Sequence, residues 1–135
     1  MKSIIKNEFS EIACSASGNI IYQCWYKASV HLSEWEFLEC MDTLCSTAEV
    51  FKSKVLYIDA LDFGYPIMDK SMQQIKKQFE KCEIEQVGMI LNADQLGAFQ
   101  FSKLIETISL FDITTNIFNT REQGESWLSL AIPTN

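Results

Sequence analysis

The chain of 135 residues has the length of one domain, and a domain of this size buries roughly two-thirds of the surface that its unfolded chain exposes. Hydrophobic residues make up 47% of it and charged residues 21%, a balance that predicts a folded globular protein rather than a disordered one. The net charge of −7 argues against nucleic-acid binding, because phosphate backbones are bound mainly by clusters of Lys and Arg.

The five cysteines are odd in number and include no C-x-x-C pair. This pattern predicts reduced, mostly buried thiols in a cytoplasmic protein rather than a disulfide framework or a zinc site. The first ten residues contain no apolar run of signal-peptide length. No stretch approaches the roughly 20 apolar residues that span a membrane. We therefore expect a cytoplasmic protein without a membrane span.

Two β-rich runs open the pattern, residues 9–14 and 20–26, and Gly18 and Asn19 between them tolerate positive φ. These runs predict an antiparallel hairpin. Ser33 and Glu36 have the spacing of a capping box, so the first helix is expected to begin there. The apolar residues of that helix recur on one face: Phe37, Leu38, Met41, Leu44, Cys45 and Ala48.

The stretch 54–72 is expected to hold the centre of the fold. Residues 55–58 have the character of a fully buried strand that ends at Asp59, and a second helix is predicted to begin near Asp69. The loop between them follows the carboxyl end of a central strand, which is a common place for ligand contacts in α/β domains. The apolar stripe of the second helix is expected to comprise Met68, Met72, Ile75 and Phe79.

The rest of the chain continues the alternation of strands and helices. An apolar run at 86–91 predicts a parallel strand covered on both faces, followed by a helix from 94 to 109, a short strand at 115–118 and a final helix opened by a second capping box at 120–123. The order predicts one α/β domain over residues 1–135. With right-handed crossovers, this domain is expected to have a mixed, mostly parallel sheet of about five strands, an N-terminal antiparallel hairpin and about four helices.

Three local motifs point to a known family. The segment 18–22 leads to a capped helix at 33–37, the buried strand 55–59 ends in Asp, and the segment 117–128 contains Phe, an acidic helix start and a closing Trp-Leu. Together they resemble the bacterial SpoIIAA-like group, the STAS domains related to anti-sigma-factor antagonists, and more remotely the CRAL-TRIO lipid-transfer domain. The resemblance covers nearly the whole chain and implies a STAS-like fold that acts by binding.

The resemblance also implies a candidate phospho-switch. STAS regulators carry Asp-Ser-Ser-Gly-Leu after the central strand, with a phosphorylatable serine at the start of a helix. The corresponding segment is 69–72, in which Asp69 and Ser71 match. A phosphate on Ser71 would lie in the first helical turn, where free amides and the helix dipole favour negative charge. The alternative is that Asp69 is an N-cap and Ser71 a solvent-facing residue.

The sequence contains no residue set of a recognisable enzyme. His31 is the only histidine, so any Ser-His-Asp or Cys-His relay would have to use it, and we interpret it as a linker residue. The five glycines form neither a G-x-G-x-x-G nor a Walker loop. Asp59 and Asp62 have no histidine or third ligand nearby in sequence, so we predict no metal, no cofactor and no enzymatic activity.

Two binding functions remain open. The first is binding of a protein partner, in which homodimer formation is included, and the second is binding of a lipid or other apolar small ligand in a CRAL-TRIO-like pocket. Of these we favour a protein partner. The candidate contact residues are shared by both functions, although the aromatic ones could instead close the core: Asp59, Asp62, Phe63, Tyr65, Met68, Phe99 and Phe101.

Overall fold

The strands and helices follow one another as the α/β pattern predicts. The computed structural model describes residues 2–92, 103 and 113–131. A short 3-10 helix, Lys27–His31, precedes the first α-helix. The strands are β1 (Lys2–Lys6), β2 (Ser10–Cys14), β3 (Ile20–Trp25), β4 (Val55–Ala60), β5 (Gln86–Leu91) and β6 (Thr114–Phe118). The helices are α1 (Glu34–Phe51), α2 (Asp69–Phe79) and α3 (Arg121–Ala131).

The six strands form one mixed sheet, in which they lie in the same order as in the sequence. β1, β2 and β3 are antiparallel neighbours, whereas β3, β4, β5 and β6 run parallel to one another. The predicted hairpin is confirmed as β2 and β3, and Gly18 adopts a φ of 78° in its turn. The N-terminal antiparallel unit is therefore joined to a parallel βα region.

The predicted count of about five strands is wrong, because the prediction missed β1. Every residue of this edge strand is exposed, and its ladder with β2 is interrupted between Ser3 and Ile5. The strand is therefore held by main-chain pairing. It lacks the alternation of buried and exposed side chains from which a strand is predicted. The predicted helix at 94–109 lies outside the described residues, apart from residue 103, and the described part of the chain contains three α-helices instead of about four.

The start of α1 confirms the predicted capping box. The Ser33 hydroxyl accepts a hydrogen bond from the Glu36 amide at 3.1 Å, and the Ser33 amide donates to the Glu36 carboxylate at 2.9 Å. At the other end, Lys52 takes the left-handed conformation, with a φ of 53°. The buried face of the helix packs against the sheet through Phe37, Cys40, Met41, Leu44, Cys45 and Ala48.

The central strands are covered on both faces. Leu56 and Ile58 of β4 belong to the core that also contains the buried faces of α1 and α2. On the opposite face, the Tyr57 ring stacks on Trp127 of α3, with 6.5 Å between the ring centroids. Strand β4 is thus sandwiched between two helical layers, as the uninterrupted apolar run predicts.

A glycine allows α3 to approach the sheet. A Cβ atom at Gly88 of β5 would overlap the Trp127 indole, and one at Gly124 of α3 would lie 3.0 Å from Ile90 Cγ1. The contact between α3 and β5 therefore requires a residue without a side chain on the strand.

Replacing Gly88 with alanine is expected to destabilise the protein by about 1–3 kcal/mol, because the added methyl group overpacks the contact with Trp127. The free energy of unfolding in urea measures this cost. In a Trp127→Leu background the cost should fall, since the ring that meets the methyl group is gone. An equal cost in both backgrounds would mean that Trp127 is not the limiting contact.

Candidate functional site

Asp59 lies at the carboxyl end of β4, as predicted, and forms an ion pair. Its Oδ2 atom accepts from Nε of Arg121 at 2.7 Å, and its Oδ1 atom accepts from the Leu61 amide at 3.3 Å. The carboxylate raises the pKa of the Arg121 guanidinium, both by this hydrogen bond and by its charge. The pair joins the first residue of α3 to the central strand across 62 positions of sequence.

The other candidate carboxylate, Asp62, is half-buried in the loop after β4. Its main-chain carbonyl accepts a hydrogen bond from the Ser29 hydroxyl at 3.3 Å, and the same hydroxyl accepts from the Gly64 amide at 3.0 Å. The loop is therefore fastened to the 3-10 helix that precedes α1.

The loop aromatics close the core. Phe63 is fully buried and Tyr65 nearly so. The Phe63 ring lies edge-on to Trp25 at 4.9 Å between centroids, and the Tyr65 ring stacks on Phe37 at 4.8 Å. These two residues, which were predicted to contact a ligand or partner, thus pack the loop against the sheet and against α1. Phe99 and Phe101, predicted to join them, lie outside the described residues.

Helix α2 begins at Asp69, as predicted. Its N-cap residue is Met68, so the alternative in which Asp69 is the N-cap is wrong. Met68 precedes the helix, so it lies outside the buried stripe and is 58% exposed. Ser71 is fully buried, and its hydroxyl donates to the Glu34 carboxylate at 3.3 Å. The expectation of a solvent-facing Ser71 is wrong, because the first turn of α2 packs against the first turn of α1.

The burial of Ser71 limits what a phospho-switch can be. A phosphate on this hydroxyl would lie beside the Glu34 carboxylate, where like charges repel. Phosphorylation of Ser71 stays a prediction, and it requires the contact between α1 and α2 to open at Glu34.

Ser71→Asp is expected to lower the free energy of unfolding by about 3 kcal/mol, since it buries a second carboxylate beside Glu34. Ser71→Ala should cost only about 1 kcal/mol, the value of one hydrogen bond. Urea unfolding measures both. Ser17→Asp is the matched control, because Ser17 is exposed in the hairpin turn. A small cost for Ser71→Asp, similar to that of the control, would contradict the buried contact.

A groove of about 260 Å³ runs between the β1–β2 hairpin and α1. Phe9 and Ile12 are buried at its floor, whereas Ile5 is 44% and Trp35 is 71% exposed. Two acidic side chains of α1 also line it. We call this feature the Trp35 groove, and define it by Ile5, Phe9, Ile12, Trp35, Glu36 and Glu39.

Polar contacts fix the shape of the Trp35 groove. The Asn7 side-chain oxygen accepts from the Phe9 and Ser10 amides at 2.8 and 2.9 Å and so sets the turn between β1 and β2. The Ser10 hydroxyl donates to the Cys40 sulfur of α1 at 3.9 Å. Burial raises the pKa of the Cys40 thiol, so this sulfur stays protonated at neutral pH. The groove therefore has a mixed lining, in which Asn7, Ser10, Thr43 and two carboxylates accompany the apolar side chains.

Sequence reasoning missed this groove. In the sequence, Trp35 is one of the two residues between Ser33 and Glu36 of the capping box and has no other assigned role. One wall of the groove is formed by β1, which has no alternation of buried and exposed residues. A tryptophan in the first turn of a helix whose apolar stripe begins at Phe37 was the available signal.

A second concavity lies on the opposite face of the sheet, beside Asp59. It has a volume of about 170 Å³ and is lined by Glu11, Ala13, Tyr22, Gln23, Cys24, Tyr57 and Asp59. The Tyr22 and Tyr57 rings meet edge to face at 6.2 Å. Burial, with a contribution from Asp59, raises the pKa of Cys24 to about 11 and that of Tyr57 to about 12. Both groups are therefore protonated at neutral pH and are poor nucleophiles.

The described residues contain no cluster of three or more His, Cys, Asp or Glu side chains that could hold a metal ion. Within the same part of the chain, none of the helices combines the length and the apolar character needed to cross a membrane.

Comparison with protein-family models, with curated proteins and with solved structures finds no match to the chain.

Proposed function

We propose that the protein is a non-enzymatic, STAS-like binding module that acts in bacterial regulation by binding another protein. A segment of the partner would lie in the Trp35 groove. The observation that carries the proposal is the 71% exposure of Trp35 at a groove that it shares with the apolar residues Ile5, Phe9 and Ile12. Contiguous exposed apolar patches mark interaction surfaces, and tryptophan is enriched among the residues that dominate binding energy.

The gain from covering Trp35 is substantial. An aromatic side chain buries about 150–250 Å² when fully covered, which at about 25 cal/mol per Å² is worth several kcal/mol. Ile5, on the facing wall, adds further exposed apolar surface. A partner that places one apolar side chain between Trp35 and Ile5 would bury both.

The charge of the groove selects the chemistry of the partner. Glu36 and Glu39 line the groove, and none of the described residues that line it is a Lys or Arg. The chain as a whole has a net charge of −7, which attracts basic surfaces. The occupant we propose is therefore a protein segment with an apolar side chain flanked by Lys or Arg.

The second concavity supports a small-ligand function less well. Its volume of about 170 Å³ is below the roughly 300–1,000 Å³ of typical ligand pockets. The loop residues predicted to line an apolar pocket, Phe63 and Tyr65, instead fill the core. For these reasons we favour a protein partner over a lipid or another apolar ligand.

The STAS-like part of the proposal is supported by features that the resemblance implied. These are the hairpin β2–β3, the capped start of α1 and the central strand β4 ending at Asp59. Regulation by phosphorylation of Ser71 would act through Glu34, which is adjacent to Trp35 in the first turn of α1. Repulsion between the phosphate and Glu34 would shift that turn and disturb the rim of the groove.

Native mass spectrometry of the protein purified from its own host tests the proposal. The wild type should carry a stoichiometric protein partner, and Trp35→Ser should lose it. Val50→Ser is the matched control, because Val50 is 76% exposed on the same helix but does not line the groove, and it should keep the partner.

The double variant Glu36→Gln/Glu39→Gln tests the charge of the occupant. It should weaken binding at least about tenfold at low salt and reduce the salt dependence of binding. The Gln side chain at position 36 retains the capping box, so the helix start is preserved. Two outcomes would overturn the proposal: a partner whose binding ignores Trp35 and both glutamates, or purified protein that carries only a small molecule.

A further inference from the structure

Two cysteines from different parts of the chain meet at the packed faces of α1 and α2. Cys45 is buried on the inner face of α1, and Cys82 is half-buried in the turn that follows α2. The Cys82 sulfur lies 3.4 Å from the main-chain oxygen of Cys45 and 3.8 Å from that of Gln78.

This contact brings Cys45 and Cys82 together although they are not neighbours in sequence. The two cysteines are 37 positions apart, and strand β4 and helix α2 lie between them in the chain. A disulfide forms only where the backbones approach closely enough for the two sulfurs to bond. Here the Cys82 sulfur lies 3.4 Å from the main-chain oxygen of Cys45, so the fold already holds the two residues in contact.

The two thiols differ in ways that assign their roles. Cys45 is buried, whereas Cys82 is half-buried, so a small disulfide in solution reaches Cys82 first. Cys82 is therefore the attacking thiol and Cys45 the resolving thiol.

The remaining cysteines lack such a neighbour. Cys14 is buried in β2, and Cys40 is buried against Ser10 and Asn7. Cys24 is half-buried, but it lines the concavity on the opposite face of the sheet, with a pKa raised to about 11.

We propose that Cys45 and Cys82 form a dithiol site that reacts with low-molecular-weight disulfides of the glutathione class and is oxidised to an intramolecular disulfide. The Cys82 thiolate attacks one sulfur of the small disulfide, forms a mixed disulfide and releases one thiolate. Cys45 then attacks the Cys82 sulfur, passes its proton to a departing thiolate and releases the second small thiol. The protein loses two electrons and two protons, and one small disulfide becomes two thiols.

The test uses the full-length protein and glutathione disulfide. After incubation, free thiols are alkylated, and the protein is digested and analysed without reduction. We expect a Cys45–Cys82 link, with the other three of the five cysteines alkylated. Cys45→Ser should instead accumulate glutathione on Cys82, because the resolving thiol is gone. Cys82→Ser should show neither a disulfide link nor glutathione on Cys45.

Cys24→Ser is the matched control, since Cys24 is half-buried like Cys82 but lies on the other face of the sheet, and it should leave the link unchanged. If a variant fails to fold, partially oxidised wild-type protein still tests the proposal, because its digest shows which cysteines react first. Glutathione on Cys24 before any Cys45–Cys82 link appears, or a wild type with all five thiols free, would overturn the proposal.

Discussion

The burial of β4 on both faces is the constraint on which the rest of the structure depends. Leu56 and Ile58 pack into the core with α1 and α2, while Tyr57 stacks beneath Trp127 of α3. A strand covered in this way has to satisfy its main chain within the sheet, and β4 does so by parallel pairing with β3 and β5. The register of this pairing places Cys24, Asp59 and Ile90 side by side at the carboxyl ends of the strands.

The core also determines where function can lie. The loop after β4 brings Phe63 and Tyr65 into an aromatic cluster with Trp25 and Phe37, so these side chains stabilise the core. Exposed apolar surface is left at the periphery, where the β1–β2 hairpin meets the first turn of α1. Trp35 is exposed there because it precedes Phe37 by two residues, which places it about 200° around the helix from the buried stripe that Phe37 begins. The proposed protein-binding surface is thus a consequence of how α1 is seated on the sheet.

Contacts between helices connect the proposed sites to the fold. Glu34 accepts from Ser71 at the N-terminal ends of α1 and α2, and Cys45 meets Cys82 near the end of α2. A change at either contact, by a phosphate or by a disulfide, would alter how α1 lies against α2. Since α1 provides one wall of the Trp35 groove, both chemical changes would bear on the same helix. The α1–α2 contact is therefore the place where chemical modification and binding would be coupled.

The sequence by itself determined the α/β class, the hairpin β2–β3, the capping box at Ser33 and the buried strands β4 and β5. These features are local: apolar periodicity, turn residues and caps act over a few neighbouring residues. Only the tertiary structure decided the features that depend on which faces meet. The exposed edge strand β1 has no pattern of its own, and the contacts Asp59–Arg121, Glu34–Ser71 and Cys45–Cys82 join residues 62, 37 and 37 positions apart. Whether an aromatic residue such as Phe63 or Trp35 ends in the core or at the surface follows from the packing of helices on the sheet, which no local pattern encodes.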